Sequence, residues 1–198
     1  MHISSVTDYI SKNWVELLAT IFSLIYVFFS VKEKRISWFF GFLCSALYIV
    51  VFFQSKFYAD MSLQFYYLGV SVFGWITWKN IKHENNAESL HISTLNKSQF
   101  FQYLVSSIAI YAVYYLILKF LTDSTIPIMD SIVGALSVIA TWMLAKKKIE
   151  NWLLWIVADA LALGLFIYKE LYPTAVLFVI YTIMAVVGYF EWRKSLRS

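Results

Sequence analysis

Apolar and polar positions alternate along this chain in long blocks, not at the short periods of a soluble fold. Apolar runs occupy approximately 14–31, 37–54, 60–78, 99–121, 129–145, 151–168 and 173–192, with polar segments between them. A helix needs about 17 to 25 such residues to cross the hydrocarbon core. The runs lack the alternating polar face that a barrel strand turns to its lumen. The pattern predicts an all-α integral membrane protein with seven transmembrane helices, residues 1–198 forming one transmembrane domain. The opening "MHISSVTDYISKNW" lacks the form of a signal peptide, so the first span is expected to be retained.

Composition agrees: 61% of residues are hydrophobic and 14% charged, well away from the soluble balance. The net charge of +4 could point to nucleic acid, but its distribution assigns it to topology. Lys12, Lys56, Lys119 and Lys169 fall on one side. Lys32, Lys34, Arg35, Lys79, Lys82, Lys97, Lys146, Lys147, Lys148, Arg193, Lys194 and Arg197 fall on the other. Basic residues gather in cytoplasmic loops, so the amino terminus is expected outside and the carboxy terminus in the cytoplasm. The linker "HENNAESLHISTLNKS" is then cytosolic, with His83 and His91 read as solvated. Its Asn96-Lys97-Ser98 triplet has the form of a glycosylation acceptor on the wrong side of the membrane. Cys44 is alone within an apolar run and predicts an inert thiol.

Sliding the sequence by 114 positions aligns 16–79 with 130–193 without a gap, at roughly fourteen identities, a signal of internal duplication. Trp38 meets Trp152, Tyr67 meets Tyr181, Gly74 meets Gly188 and Trp78 meets Trp192, while Glu16 meets Asp130. The copies begin four crossings apart and enter the membrane in the same direction. Repeat one covers about 14–79, a linker helix about 99–121 and repeat two about 129–193. Such a 3+1+3 parallel repeat predicts a pseudo-two-fold axis along the membrane normal and a substrate site near mid-membrane.

Positions at which the copies diverge mark the candidate site. Asp159 faces Ser45 in the alignment and Trp155 faces Gly41, so the second copy carries an added charge and an added indole. Trp152, Trp155, Asp159 and Phe166 share one face of a helix at spacings of 3, 4 and 7. From Trp152, Asp159 lies about 10 Å along the axis, close to mid-membrane. A carboxylate beside indole faces favours a flat organic cation. On the third helix Asp60, Gln64, Tyr67 and Ser71 share a face, matched in the seventh by Thr174, Phe178, Tyr181 and Ala185. The Gln64 amide suits a ligand with a carboxamide or sugar hydroxyls. Gln102, Ser106, Tyr111, Tyr114 and Tyr115 of the fourth helix are candidates to line one side. Plainer readings compete: Trp152 as an interfacial anchor, and Asp159 as an interhelical hydrogen-bonding group. Trp38, Trp78 and Trp192 are expected in the interfacial belt, and Glu16 and Asp130 at helix starts. Pro173 is expected in the first turn of the seventh helix.

These residues carry a resemblance. "ENWLLWIVAD" fits the W-x-x-W-x-x-x-N/D motif of the PnuC family of bacterial vitamin transporters, and "FYADMSLQFYYLGVSVFGWITWK" resembles that family's third-helix segment. The likeness covers essentially the whole chain and implies a SWEET-like architecture. It further implies uptake of nicotinamide riboside by facilitated diffusion, trapping of the product by a cytoplasmic kinase, and a homotrimer. By motif, Trp152, Trp155, Asp159 and Gln64 would be binding residues, with Tyr67, Tyr181 and Phe166 beside them. Asp159 stands where many riboside carriers have Asn, so thiamine, another ring-bound cation, is the alternative substrate. Partners are then a small cationic vitamin, membrane lipid and further copies of the chain, with no cofactor. No catalytic motif is present, so an enzyme is not expected. A membrane scaffold without transport is the remote alternative.

Overall fold

A computed structural model of the chain describes residues 3–54, 58–79, 90–122, 124–168, 170 and 172–197, with only the backbone described for 3–12, 58–60 and 173. His83 and Lys82 lie outside these residues. The described residues form seven helices: α1 (Ile3–Val31), α2 (Ile36–Gln54), α3 (Tyr58–Thr77), α4 (Lys97–Leu121), α5 (Pro127–Ala145), α6 (Asn151–Tyr168) and α7 (Tyr172–Ser195). Among the described residues, six of the helices contain stretches long and apolar enough to cross a membrane. Phe53, Phe65, Val105 and Ile183 are each more than half exposed on the outer surfaces of their helices. Apolar surface on this scale belongs in contact with lipid, which makes the chain a multi-pass membrane protein.

Helix ends follow local chemistry. α1 kinks at Asn13 (φ −116°, ψ 18°), separating its polar start from the apolar run, and Glu16 stands in the first turn after the kink. Pro127 opens α5, where a missing N–H costs nothing, and Asp130 sits in the first turn, accepting from Ser124 Oγ at 2.8 Å. Pro173 is likewise in the first turn of α7. The Asn96-Lys97-Ser98 triplet is a helix start. Asn96 Oδ1 accepts from the Gln99 amide at 2.8 Å and Gln99 Oε1 accepts from the Asn96 amide at 3.2 Å, closing a capping box on α4.

The α1–α2 and α5–α6 turns match bond for bond. Lys34 N–H donates to Phe29 C=O and Lys148 N–H to Met143 C=O, both at 2.9 Å. Glu33 N–H donates to Ser30 C=O at 3.1 Å and Lys147 N–H to Leu144 C=O at 2.9 Å. Both are Schellman closures, with Glu33 (φ 52°) and Lys147 (φ 51°) at the left-handed position that usually takes glycine.

Six helices close a ring. α1 packs on α2, α2 on α3, α3 on α5, α5 on α6, α6 on α7, and α7 returns to α1; α4 stands outside, packed on α5. The tightest packing is at the end where the α1–α2 and α5–α6 turns meet the last turns of α3 and α7. There Trp38, Trp78, Trp152 and Trp192 are 1%, 4%, 2% and 0% exposed. Their rings run as a chain, with centroids 5.3 Å apart for Trp38–Trp78, 6.1 Å for Trp78–Trp192 and 5.4 Å for Trp152–Trp192. Trp38, Trp78 and Trp192 are therefore core residues, which corrects the interfacial-belt expectation. An indole can satisfy either role by composition, and the glycines opposite them decide. A Cβ on Gly74 would lie 2.3 Å from the Trp38 ring and one on Gly188 would lie 2.7 Å from the Trp152 ring, so glycine lets each indole lie flat on the neighbouring helix.

The linker before α4 is only partly the solvated segment that its polarity predicts. Ser93 N–H donates to Lys147 C=O at 3.0 Å, Ile149 N–H donates to Ser93 C=O at 3.1 Å, and Leu95 N–H donates to Glu150 Oε1 at 2.8 Å. Leu90 and Ile92 pack against the tryptophan core. Residues 90–96 are thus a strap across the α5–α6 turn, and His91 lies exposed on it.

Candidate functional site

α6 turns one face inward. Trp152, Ala158, Asp159 and Ala162 are buried, with Trp155 and Phe166 half-buried on the same stripe, whereas Leu153 and Val157 on the opposite side are 43% and 49% exposed. Asp159, 5% exposed, is the ninth of the eighteen residues of α6, so its carboxylate projects into the ring at mid-helix. Among the described residues it meets no cation. The Tyr181 phenol from α7 lies within its electrostatic range. Ser45, the residue of α2 aligned with Asp159, is 4% exposed.

Tyrosines gather at the same depth. Tyr181 pairs its hydroxyl with that of Ser23 of α1 in a hydrogen bond. Tyr67 of α3 stands beside Ser137 of α5, the pair that the 114-residue offset places opposite Tyr181 and Ser23. Each pair joins helices on opposite sides of a seam, one between α1 and α7, the other between α3 and α5. Phe166 stacks on Phe178 with centroids 5.0 Å apart, and Phe178 meets Tyr181 edge-on at 5.5 Å, forming an aromatic wall from α6 to α7. Gln64 is half-buried one turn before Tyr67 on α3.

Trp152 and Trp155 occupy different environments. Trp152 is locked in the tryptophan chain, edge-on to Trp192, which removes the interfacial-anchor reading. Its indole Nε1 is buried with no hydrogen-bond partner among the described residues, as is that of Trp38. Trp155 is half-buried beside the core. Room for its ring follows from an exchange of sizes. A Cβ on Gly41 would lie 3.0 Å from the Tyr26 ring and 3.1 Å from Ser71 Oγ. At the positions 114 residues on, Tyr26, Gly41 and Ser71 are replaced by Ala140, Trp155 and Ala185. The large ring thus stands on α1 in one set and on α6 in the other.

α4 does not line this interior as the sequence led one to expect. None of its residues is buried, Gln102 and Ser106 are exposed, and Tyr111 and Tyr115 stack on each other with centroids 6.1 Å apart. Tyr114 alone reaches in, its ring about where a Cβ on Gly134 of α5 would touch it, at 3.1 Å. The α4 face carries polar groups because it is a linker, and a single sequence does not show which helix stands outside a ring. Sequence reasoning did not single out Tyr26, Tyr48 and Thr20; Tyr48 of α2 and Thr20 of α1 pair their hydroxyls at 3.2 Å. The aligned identities Ser23/Ser137 and Tyr67/Tyr181 held the signal for the two seam pairs. A surface recess lined by Leu95, Lys97, Phe101 and Glu150 lies on the strap, away from Asp159.

Around mid-helix the site thus gathers one buried carboxylate, an aromatic wall from α6 to α7 and hydroxyl-bearing seams. Its wider context comes from comparison with known proteins. A family model described as nicotinamide mononucleotide transporter matches residues 13–194. Nicotinamide riboside transporter PnuC of Escherichia coli K12 is 25% identical over 94% of this chain and 87% of that protein. The protein of the same name from Neisseria mucosa is 25% identical over 93% of this chain and 74% of its own length. The crystal structure of the vitamin B3 transporter PnuC superposes with a TM-score of 0.76, at 25% identity, covering 98% of this chain and 86% of that one. With the match running from the kink in α1 to the last turn of α7, the chain belongs to the nicotinamide mononucleotide transporter family of membrane transporters.

Proposed function

We propose that the protein carries nicotinamide riboside across the bacterial inner membrane by facilitated diffusion, with the amino terminus outside and the carboxy terminus in the cytoplasm. The observation that carries this reading is the buried Asp159 carboxylate facing the ring interior at mid-helix. A pyridinium cation offsets the cost of holding that charge away from water, and the rings of Trp155 and Phe166 suit its flat aromatic face. Gln64, Tyr67 and Tyr181 supply groups for the carboxamide and ribose, while Trp152 supplies an unpartnered indole N–H.

The riboside is favoured over the mononucleotide of the family's name on electrostatic grounds. Across the seven apolar runs the only Lys or Arg is Lys119, on the outlying α4. A phosphate brought to mid-membrane would face Asp159 with no cation to meet it. Thiamine satisfies the same carboxylate and remains the alternative, but makes less use of Gln64. The relatives named above are riboside transporters, which supports the first choice.

The 3+1+3 parallel repeat is part of this proposal. It is supported by the matched turns, by the paired tryptophan–glycine contacts, and by ring closure through two seams that the 114-residue offset interchanges. Symmetric halves able to rock about a central site suit a uniporter. Direction would come from the gradient and from phosphorylation by a cytoplasmic kinase, and the chain would assemble as a homotrimer in lipid.

Titration of the purified protein with riboside, mononucleotide, thiamine and riboflavin tests the substrate. Riboside is expected to bind tightest and mononucleotide weakly. Asp159→Asn is expected to weaken riboside binding by about tenfold or more, while an uncharged dihydropyridine riboside is affected far less. Equal loss for the charged and uncharged ligands would reject the electrostatic role.

A further inference from the structure

The two left-handed residues of the matched turns meet each other. Lys147 Nζ lies 3.2 Å from Glu33 Oε2, with the two side chains 12% and 27% exposed, and the residues are 114 positions apart in the chain. The pair therefore joins equivalent points of the two copies, across the axis that relates them. It is asymmetric in charge although the backbone at the two places is the same.

Backbone chemistry argues against a neutral role for these residues. At a left-handed closing position glycine is favoured, and any other residue brings its Cβ too close to the backbone. Both copies accept that cost and place there the two charges that bind each other. Supporting contacts are built around them. Ser195 Oγ, at the end of α7, donates to Glu33 Oε1 at 3.1 Å, and Lys147 Nζ stands 5.0 Å from the centre of the Trp78 ring. Directly beneath, both seams are bridged by indoles: Trp192 Nε1 donates to Ser30 C=O at 3.2 Å and Trp78 Nε1 to Ala145 C=O at 3.1 Å. The ring is thus shut at the end carrying the basic turns. Towards the opposite end, the inward residues Gln64, Tyr67, Phe166 and Tyr181 are only half-buried.

We propose that Glu33 and Lys147 form a bolt that holds the basic end of the pathway closed, and that the bolt parts each time this end opens to release substrate. The inference rests on the transport reading above and adds its gate. An ion pair suits the task because it is strong when dehydrated and weak when wetted, so water entering as the halves rock apart loosens it. A greasy contact alone would offer no such change.

The test uses the full chain in proteoliposomes, with Cys44→Ser and Ser30→Cys, because Ser30 is 1% exposed behind the pair. A membrane-impermeant thiol reagent is applied from the basic end. Glu33→Gly and Lys147→Gly relieve the left-handed backbone as they remove the charge, so folding is retained and thermal stability should not fall. Each is expected to raise the labelling rate of the Ser30→Cys thiol by about tenfold, the scale of a population shift towards the open end. The charge exchange Glu33→Lys with Lys147→Glu should bring the rate back to within about twofold of the parent. Unchanged labelling in both glycine variants, or a charge exchange that labels as fast as they do, would overturn the bolt. The measurement needs no substrate, so absent riboside uptake by the unaltered protein would remove the transport reading alone.

Discussion

A few side chains set both the packing and the chemistry of this protein, and the glycines show how. Gly188 lies under Trp152 and Gly74 under Trp38, with no space for a methyl group, whereas Gly164 and Gly69 have nothing within 4 Å. Gly188→Ala must push the Trp152 indole off its seat and is expected to cost about 1 to 3 kcal/mol, the range for overpacking. Gly164→Ala, on the outer part of α6, should be neutral or stabilising by up to about 1 kcal/mol through helix propensity. Thermal melts of the two variants in the same detergent check the contrast, and equal destabilisation would refute the packing argument. Riboside affinity should also fall in the first variant, because Trp152 belongs to both the core and the proposed site.

At the scale of elements, the strap and the α4 cap show how one polar linker divides into parts with different work. Residues 90–96 are held by Glu150, Lys147 and Ile149, all within the α5–α6 turn, so they stiffen that turn, and among the described residues no such strap crosses the α1–α2 turn. Glu150→Ala removes the acceptor for Leu95 N–H. Amide exchange across 93–96 should then quicken by about tenfold or more, the scale of one lost charge-assisted hydrogen bond, while amides of α2 stay unchanged. Exchange measured by mass spectrometry resolves the two regions, and uniform protection in the variant would show that the apolar contacts of Leu90 and Ile92 hold the strap unaided.

The whole molecule is a ring with one tight end and one looser end. The tryptophan chain, the two cross-seam indole bonds and the Glu33–Lys147 pair all lie at the basic end. On the proposed topology, with that end in the cytoplasm, a single cysteine at Lys34 should be labelled by an impermeant reagent only after inner-membrane vesicles are inverted, and one at Thr125 only in intact spheroplasts, both in the Cys44→Ser background. The reverse result would invert the topology and move the bolt to the outer side.

Hydropathy determined the helices, because lipid admits few backbone solutions and each span must satisfy its own hydrogen bonds. The 114-residue offset likewise made the tryptophan, glycine and tyrosine correspondences legible, and the divergence of Ser45 from Asp159 singled out the carboxylate that proves to face inward. Tertiary structure alone decided which helix stands outside the ring, and so removed Gln102 and Ser106 from the interior. It also turned three tryptophans from expected interface residues into core, since burial of an indole depends on what the opposing helix leaves open. In sequence Glu33 and Lys147 are charged residues of two separate loops. Only closure of the ring brings them together, because a contact across an axis is a property of two surfaces and not of either segment.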